Sequence, residues 1–176
     1  MRLGKYKSIN EEYVRDTFDK YINALEIPVI DYVAIGVQDS VHKTSASLMS
    51  RPDWQSTFSS LNLAESDPVR KAAFNTKTKF FSFDELDYQD SSGKEVMRQR
   101  KRHYIENGIV VMHRNLGHNF MLTLATGYKN FSAKKFYLEN HHSIKKTFDD
   151  LIDLIIPYSS EFQTKIITNH QDVGAK

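Results

Sequence analysis

The chain has 176 residues, of which 40% are hydrophobic, 26% charged and 12% aromatic, with 7 Gly and 4 Pro. That is one domain's worth of protein with enough apolar content for a core, which excludes disordered, collagen-like and low-complexity classes. There is no cysteine and the formal net charge is only +2, so disulfide frameworks, cysteine nucleophiles and thiolate-held metals are excluded, and charge alone gives no argument for nucleic acid.

Residues 1–176 read as a single domain. No run approaches the roughly 18 apolar residues of a membrane span, and the opening MRLGKYKSINEEYV lacks the apolar core of a signal peptide. A cytoplasmic protein without membrane contact is expected.

In chain order, Ser8 with Glu11 three residues on forms a capping box ahead of a first helix. Its apolar face takes Tyr13, Val14, Thr17, Phe18, Tyr21 and Ile22, leaving Glu12, Arg15, Asp19 and Lys20 to solvent. Pro28 ends that helix, and Val29–Val37 is rich in β-branched and aromatic residues, hence a strand. Lys43–Met49 is a second, weaker strand. Pro52 opens one short helix, and Asp67 caps another that begins at Pro68. Lys77–Phe83 alternates as a third strand. Lys94–Asn107 reads as a helix that Gly108 stops in the left-handed conformation.

Ile109–His113 and Phe120–Thr126 are strands joined through Asn115-Leu116-Gly117, a hairpin turn. A helical pattern follows Tyr128, with Ile144, Phe148, Leu151, Ile152 and Ile155 on one stripe; Pro157 kinks or ends it, and a shorter segment follows. The order predicts an α/β fold: an α/β/α sandwich around a central, mostly antiparallel, five-stranded sheet, the architecture of PAS and GAF sensor domains.

Enzyme signatures are missing. There is no G-x-S-x-G elbow, no Gly-rich phosphate loop and no H-E-x-x-H. His113 and His118 flank a turn, and His141 and His142 are adjacent; neither pair has the i, i+4 spacing of helical metal ligands. No metal and no cofactor are expected. Asp84, Glu85 and Asp87 sit where a turn attracts acids. The basic run Arg98–His103 reads as a solvated helix face.

The informative stretch runs from Ser50 to Val69. Trp54, the only tryptophan, lies four residues before Phe58, so the two rings share a helix face. Asp67-Pro68-Val69 follows, and Thr123 lies in the strand Phe120–Ala125, whose alternate side chains face one way. Phe81 or Phe83, Tyr32, Val111 and Met121 complete the lining of an apolar cavity with polar groups at one end. Indole N–H donates, ionised Asp accepts and a Thr hydroxyl does either. A ligand with an amide, a carbonyl and an alkyl tail suits that set; each buried CH₂ contributes up to about 0.8 kcal/mol.

The pattern W-x3-[YF]-x8-D-P-V, with the later Ser/Thr strand position, resembles the autoinducer-binding domain of LuxR-type quorum-sensing regulators over residues 10–165. The resemblance implies a sensor of N-acyl homoserine lactones or a similar small amphipathic signal, not an enzyme. In it Trp54 donates to the lactone carbonyl, Asp67 accepts from the amide N–H, and Thr123 assists at the amide. It also implies a homodimer, formed partly through the long C-terminal helix. Phe58 keeps the ring of the family's tyrosine without its hydroxyl. Ser50 stands where the family has a carbonyl-binding Tyr, and Ser82 where it has an aromatic, with Phe83 beside it as a one-residue substitute. These departures leave a different acylated or aromatic signal open. LuxR-type regulators read DNA through a C-terminal helix-turn-helix; nothing like it precedes Lys176, so DNA binding would need a module absent from this chain. A ligand-free PAS- or GAF-like dimerisation module is the alternative, and a lactone hydrolase a weaker one for want of a nucleophile.

Overall fold

The computed structural model describes residues 4–115 and 117–173, with side chains as far as Ser159. Six strands, β1 (Tyr6–Ser8), β2 (Tyr32–Asp39), β3 (Ser45–Met49), β4 (Phe80–Ser82), β5 (Asn107–Asn115) and β6 (His118–Thr126), form one sheet in the order β1-β3-β2-β6-β5-β4. Only the β1–β3 pairing is parallel. Helices α1 (Glu12–Asn23) and α5 (Ala133–Val173) cover one face; α2 (Pro52–Ser60), α3 (Pro68–Asn75) and α4 (Ser91–Arg102) cover the other. The α/β/α sandwich is therefore present, with six strands where five were expected.

The extra strand explains the first departure. Ser8 pairs with Ser47 in β1 and its hydroxyl meets that of Ser59, so it does not cap α1, which starts behind Glu11. Tyr13 is 80% exposed, whereas Arg15, expected in solvent, turns inward and donates to the Met49 carbonyl at 2.6 Å. The third strand is trimmed to β4 because Phe83 already begins a 3-10 turn, Phe83–Glu85.

α4 ends at Arg102, and Tyr104, not Gly108, takes the left-handed conformation after it (φ +59°). Gly108 lies in β5 for another reason: a Cβ there would stand 2.7 Å from the Leu124 carbonyl oxygen. In the β5–β6 hairpin Gly117 has φ +82°, a left-handed value that suits glycine, and Leu116 lies outside the described residues. α5 is broken at Asn140 and runs through Pro157 rather than stopping there.

β2 is buried along its whole length, as a strand covered on both faces must be. Val33, Ile35 and Val37 pack toward α1 and α5 with Leu122, Leu124, Ile144, Phe148, Leu151 and Ile155. Tyr32 and Ala34 face the other way, into the core under α2–α4. Among the described residues no helix is long and apolar enough to cross a membrane.

Candidate functional site

Pro52 starts α2, which places Trp54 and Phe58 one turn apart; their rings meet edge-on at 5.5 Å. Asp67 caps α3, Oδ1 accepting from the Val69 N–H at 3.1 Å. Its Oδ2 accepts from Arg100 Nη2 of α4 at 2.8 Å, and both side chains are only 4% exposed. The Arg100 guanidinium lies 5.3 Å from the Trp54 ring and 5.9 Å from the rings of Phe58 and Phe83, a cation seated among three π faces. Arg100 thus leaves the solvated face expected for the basic run and becomes the centre of the site.

Such a pair is held by its surroundings more than by its own attraction. Attraction and desolvation roughly offset one another, whereas removing one partner strands a buried charge. Arg100 Nε is left without a hydrogen-bond partner, while the Trp54 N–H lies within reach of the Tyr32 hydroxyl. Beside the indole stands the Tyr32 phenol, whose pKa burial pushes up, so it stays protonated.

A cavity of about 50 Å³ runs beneath α2–α4, bordered by Phe58, Asp67, Arg100 and Thr123. It exceeds the ~10–15 Å³ that one water needs but falls far short of the roughly 300 Å³ at which ligand pockets begin. Arg100 and Met121 both border it, and Met121 Cγ lies 3.1 Å from where a Cβ on Gly36 would be.

Five of the expected residues, Tyr32, Phe58, Asp67, Met121 and Thr123, therefore line one cavity, whereas Val111 points to the opposite face of the sheet, into the core under α1 and α5. Trp54 lies behind Arg100, and Phe83 touches the same guanidinium. Ser50 and Ser82 are engaged elsewhere. The Ser50 hydroxyl accepts from the Val33 N–H at 2.9 Å, and the Ser82 hydroxyl and N–H both donate to the Glu85 carboxylate, at 3.2 and 2.7 Å.

Sequence reasoning missed Arg100, Arg70 and Gln38. Arg70 is buried at the cavity wall, with Nε donating to the Ser45 hydroxyl at 2.8 Å and Nη1 to the Ala64 carbonyl at 3.1 Å. Burial pushes its pKa down, and the nearby Asp67 charge opposes that. Gln38 lines the same cavity from β2. The available signals were a glutamine directly after the apolar run Val33–Val37, at the position that continues the Tyr32–Ala34–Gly36 alternation, and an arginine three residues after a capping aspartate.

The chain is thus an α/β/α sandwich with a charged and aromatic cavity under one layer of helices. The autoinducer-binding domain family model matches residues 10–142, and the chain belongs to that family. Solved structures of LuxR-type regulators share the fold. Escherichia coli SdiA superposes with a TM-score of 0.56 at 15% identity, over 83% of this chain and 62% of that one. SdiA in complex with octanoyl-rac-glycerol gives 0.55 at 13% identity, over 86% and 61%. CepR2 of Burkholderia cenocepacia, described as an N-acylhomoserine lactone dependent LuxR family transcription factor, gives 0.54 at 12% identity, over 73% and 76%. The chain thus spans about three fifths of the SdiA chains it matches. No curated protein matches it.

Proposed function

We propose that this domain senses a small amphipathic signal held between the sheet and α2–α4, with N-acyl homoserine lactones as the first ligand class. One observation carries the reading: Asp67, Thr123 and Phe58 converge on one partly open cavity, with the Trp54 indole against the Arg100 guanidinium that borders it. A lactone carbonyl suits the Trp54 N–H. The amide N–H reaches Asp67 Oδ2 once Arg100 turns aside, and Thr123 stands at the same end.

In this proposal the chain is a single cytoplasmic sensing unit that pairs with a second copy partly through α5. Its output on DNA would pass through a module outside these residues.

The test is a thermal shift against a panel of lactones of increasing acyl length. Ligand at a hundredfold excess over Kd stabilises the folded state by about 2.7 kcal/mol, and one chain length should give the largest shift. No shift across the panel overturns the lactone. Octanoyl-rac-glycerol, the molecule bound in the SdiA complex, probes the wider amphipathic class.

The small cavity favours a second reading, a ligand-free dimerisation module. Native mass spectrometry separates the two, since a trapped small molecule adds its mass to the freshly purified protein.

A further inference from the structure

We propose that the cavity has a second polar recognition point, at the Gln38 end of β2, where Gln38, Ser45 and Arg70 receive a carboxylate at the tip of the signal's acyl chain. This rests on the sensing function proposed above and specifies the ligand it takes.

The first observation is Gln38. It is 0% exposed, yet neither its Nε2 nor its Oε1 has a hydrogen-bond partner. Leaving such a group unpaired in the interior is unfavourable by about 1–3 kcal/mol. Tyr32, Ala34 and Gly36, which precede it at alternate positions of β2, all border the same cavity, so Gln38 is the last side chain of a row that looks into it. A purely structural residue there would be apolar, like Val33, Ile35 and Val37 on the other face.

The second observation is charge. Two guanidinium groups, Arg70 and Arg100, and a single carboxylate, Asp67, border the cavity. Arg100 takes Asp67. Arg70 is met by oxygens that carry no charge: the Ser45 hydroxyl and the carbonyls of Gly4, Lys5, Lys43 and Ala64. Among the described residues it has no carboxylate within ion-pair distance. The Asp67 and Glu65 charges act on Arg70 only through space, so no carboxylate touches this guanidinium, and a buried charge is tolerated best when directly paired.

Register joins the two observations. Gln38 lies directly opposite Ser45, and Ser45 accepts from Arg70 Nε at 2.8 Å, which leaves its own O–H to donate. A carboxylate at this point would accept from Gln38 Nε2 and Ser45 Oγ in the field of Arg70, with Gln38 Oε1 left to a water. Thr123 lies opposite Ala34, so the two ends are four residues apart along β2, about 13 Å at the strand rise. Between them the wall is Gly36 and Met121, and a chain of methylenes would take the place that the Met121 side chain now holds against Gly36.

The test uses the whole chain and probes that share an eight-carbon chain: N-octanoyl homoserine lactone, its ω-carboxy and ω-hydroxy counterparts, octanoic acid and octanedioic acid. Thermal shift and calorimetry are run on the wild type and on Gln38→Leu. The expected result is at least tenfold tighter binding of the carboxy-tipped than of the methyl-tipped compound, with the hydroxy-tipped between them. In Gln38→Leu that preference reverses, and the melting temperature without ligand is no lower than the wild type's.

Equal or tighter binding of the methyl-tipped compound to the wild type overturns the distal site and leaves the sensing function standing. Preference for octanedioic over octanoic acid, with no response to any lactone, supports the distal site and overturns the lactone head. A preference that survives Gln38→Leu overturns the assignment to Gln38. No shift with any probe overturns both proposals.

Discussion

The two faces of the sheet are built for different ends. Under α1 and α5 the interior is closed and apolar, with Val33, Ile35, Leu122, Leu124 and Phe148 filling it. Under α2–α4 it holds an Arg–Asp ion pair, a second buried arginine and a glutamine without partners. An unpaired buried polar atom opposes folding, so the face under α1 and α5 is built mainly for stability, while the face under α2–α4 gives up some of it. The lesson is positional: adjacent residues of one strand, such as Leu122 and Met121, belong to different physical problems because successive side chains point to opposite faces.

The largest effect should follow from Asp67→Asn. The amide still caps α3, but the Arg100 charge is left buried without its partner, which destabilises by about 3–5 kcal/mol. Denaturant unfolding should show the loss, and most of it should return when Arg100→Met is added. Simple additivity of the two substitutions would break the contrast between the faces, since it would mean that the pair is not a unit.

The neighbours Leu122 and Met121 sharpen the contrast. Leu122→Ala empties part of a closed core and should destabilise by about 2–5 kcal/mol, leaving the order of ligand preferences unchanged. Met121→Ala should be milder, roughly 1–2 kcal/mol, because the side chain already borders a void. It should also shift the preferred acyl chain toward longer ligands in the thermal-shift panel. Equal destabilisation with no change in ligand preference would erase the distinction.

The smallest effect lies on the closed face, where the Tyr21 hydroxyl donates to Asp150 Oδ2 at 2.6 Å. Hydrogen bonds from Lys146 and then Tyr21 hold the Asp150 pKa below its ordinary value, so its contribution is present above the usual carboxylate pKa and fades as pH falls through the depressed value. Burial, then the Asp150 bond, raise the Tyr21 pKa to about 12, so that contribution is full below the ordinary phenol pKa and fades as pH climbs toward the raised one. Tyr21→Phe should flatten both limbs of the stability–pH curve by no more than about 0.5 kcal/mol, because the carboxylate is substantially solvent-screened. Unchanged limbs would show that the contact contributes nothing.

Much of the fold was legible because its signals are local. The Asp67 cap, Pro52 at the start of α2, the apolar stripe of α5 and the runs that became β2, β5 and β6 each depend on neighbours in sequence. The three-residue β1 was not, since its pairing with β3 joins residues about forty positions apart and Ser8 fits a helix cap equally well. In the site, Trp54, Phe58 and Asp67 were found through their spacing, while Arg100 was misread. Within Arg98–His103 nothing distinguishes the arginine that turns inward from those that stay in water; only the aromatic rings and the carboxylate that receive it do so.

The sequence by itself determined the layers of the domain, the shared helix face of Trp54 and Phe58, and the family to which the chain belongs, because periodicity and motif spacing are properties of the chain. Only the tertiary structure decided what fills the space beneath α2–α4. Whether a buried charge is paired, or a buried amide left waiting, depends on which distant groups the packing brings within hydrogen-bond reach, and desolvation makes that proximity decisive.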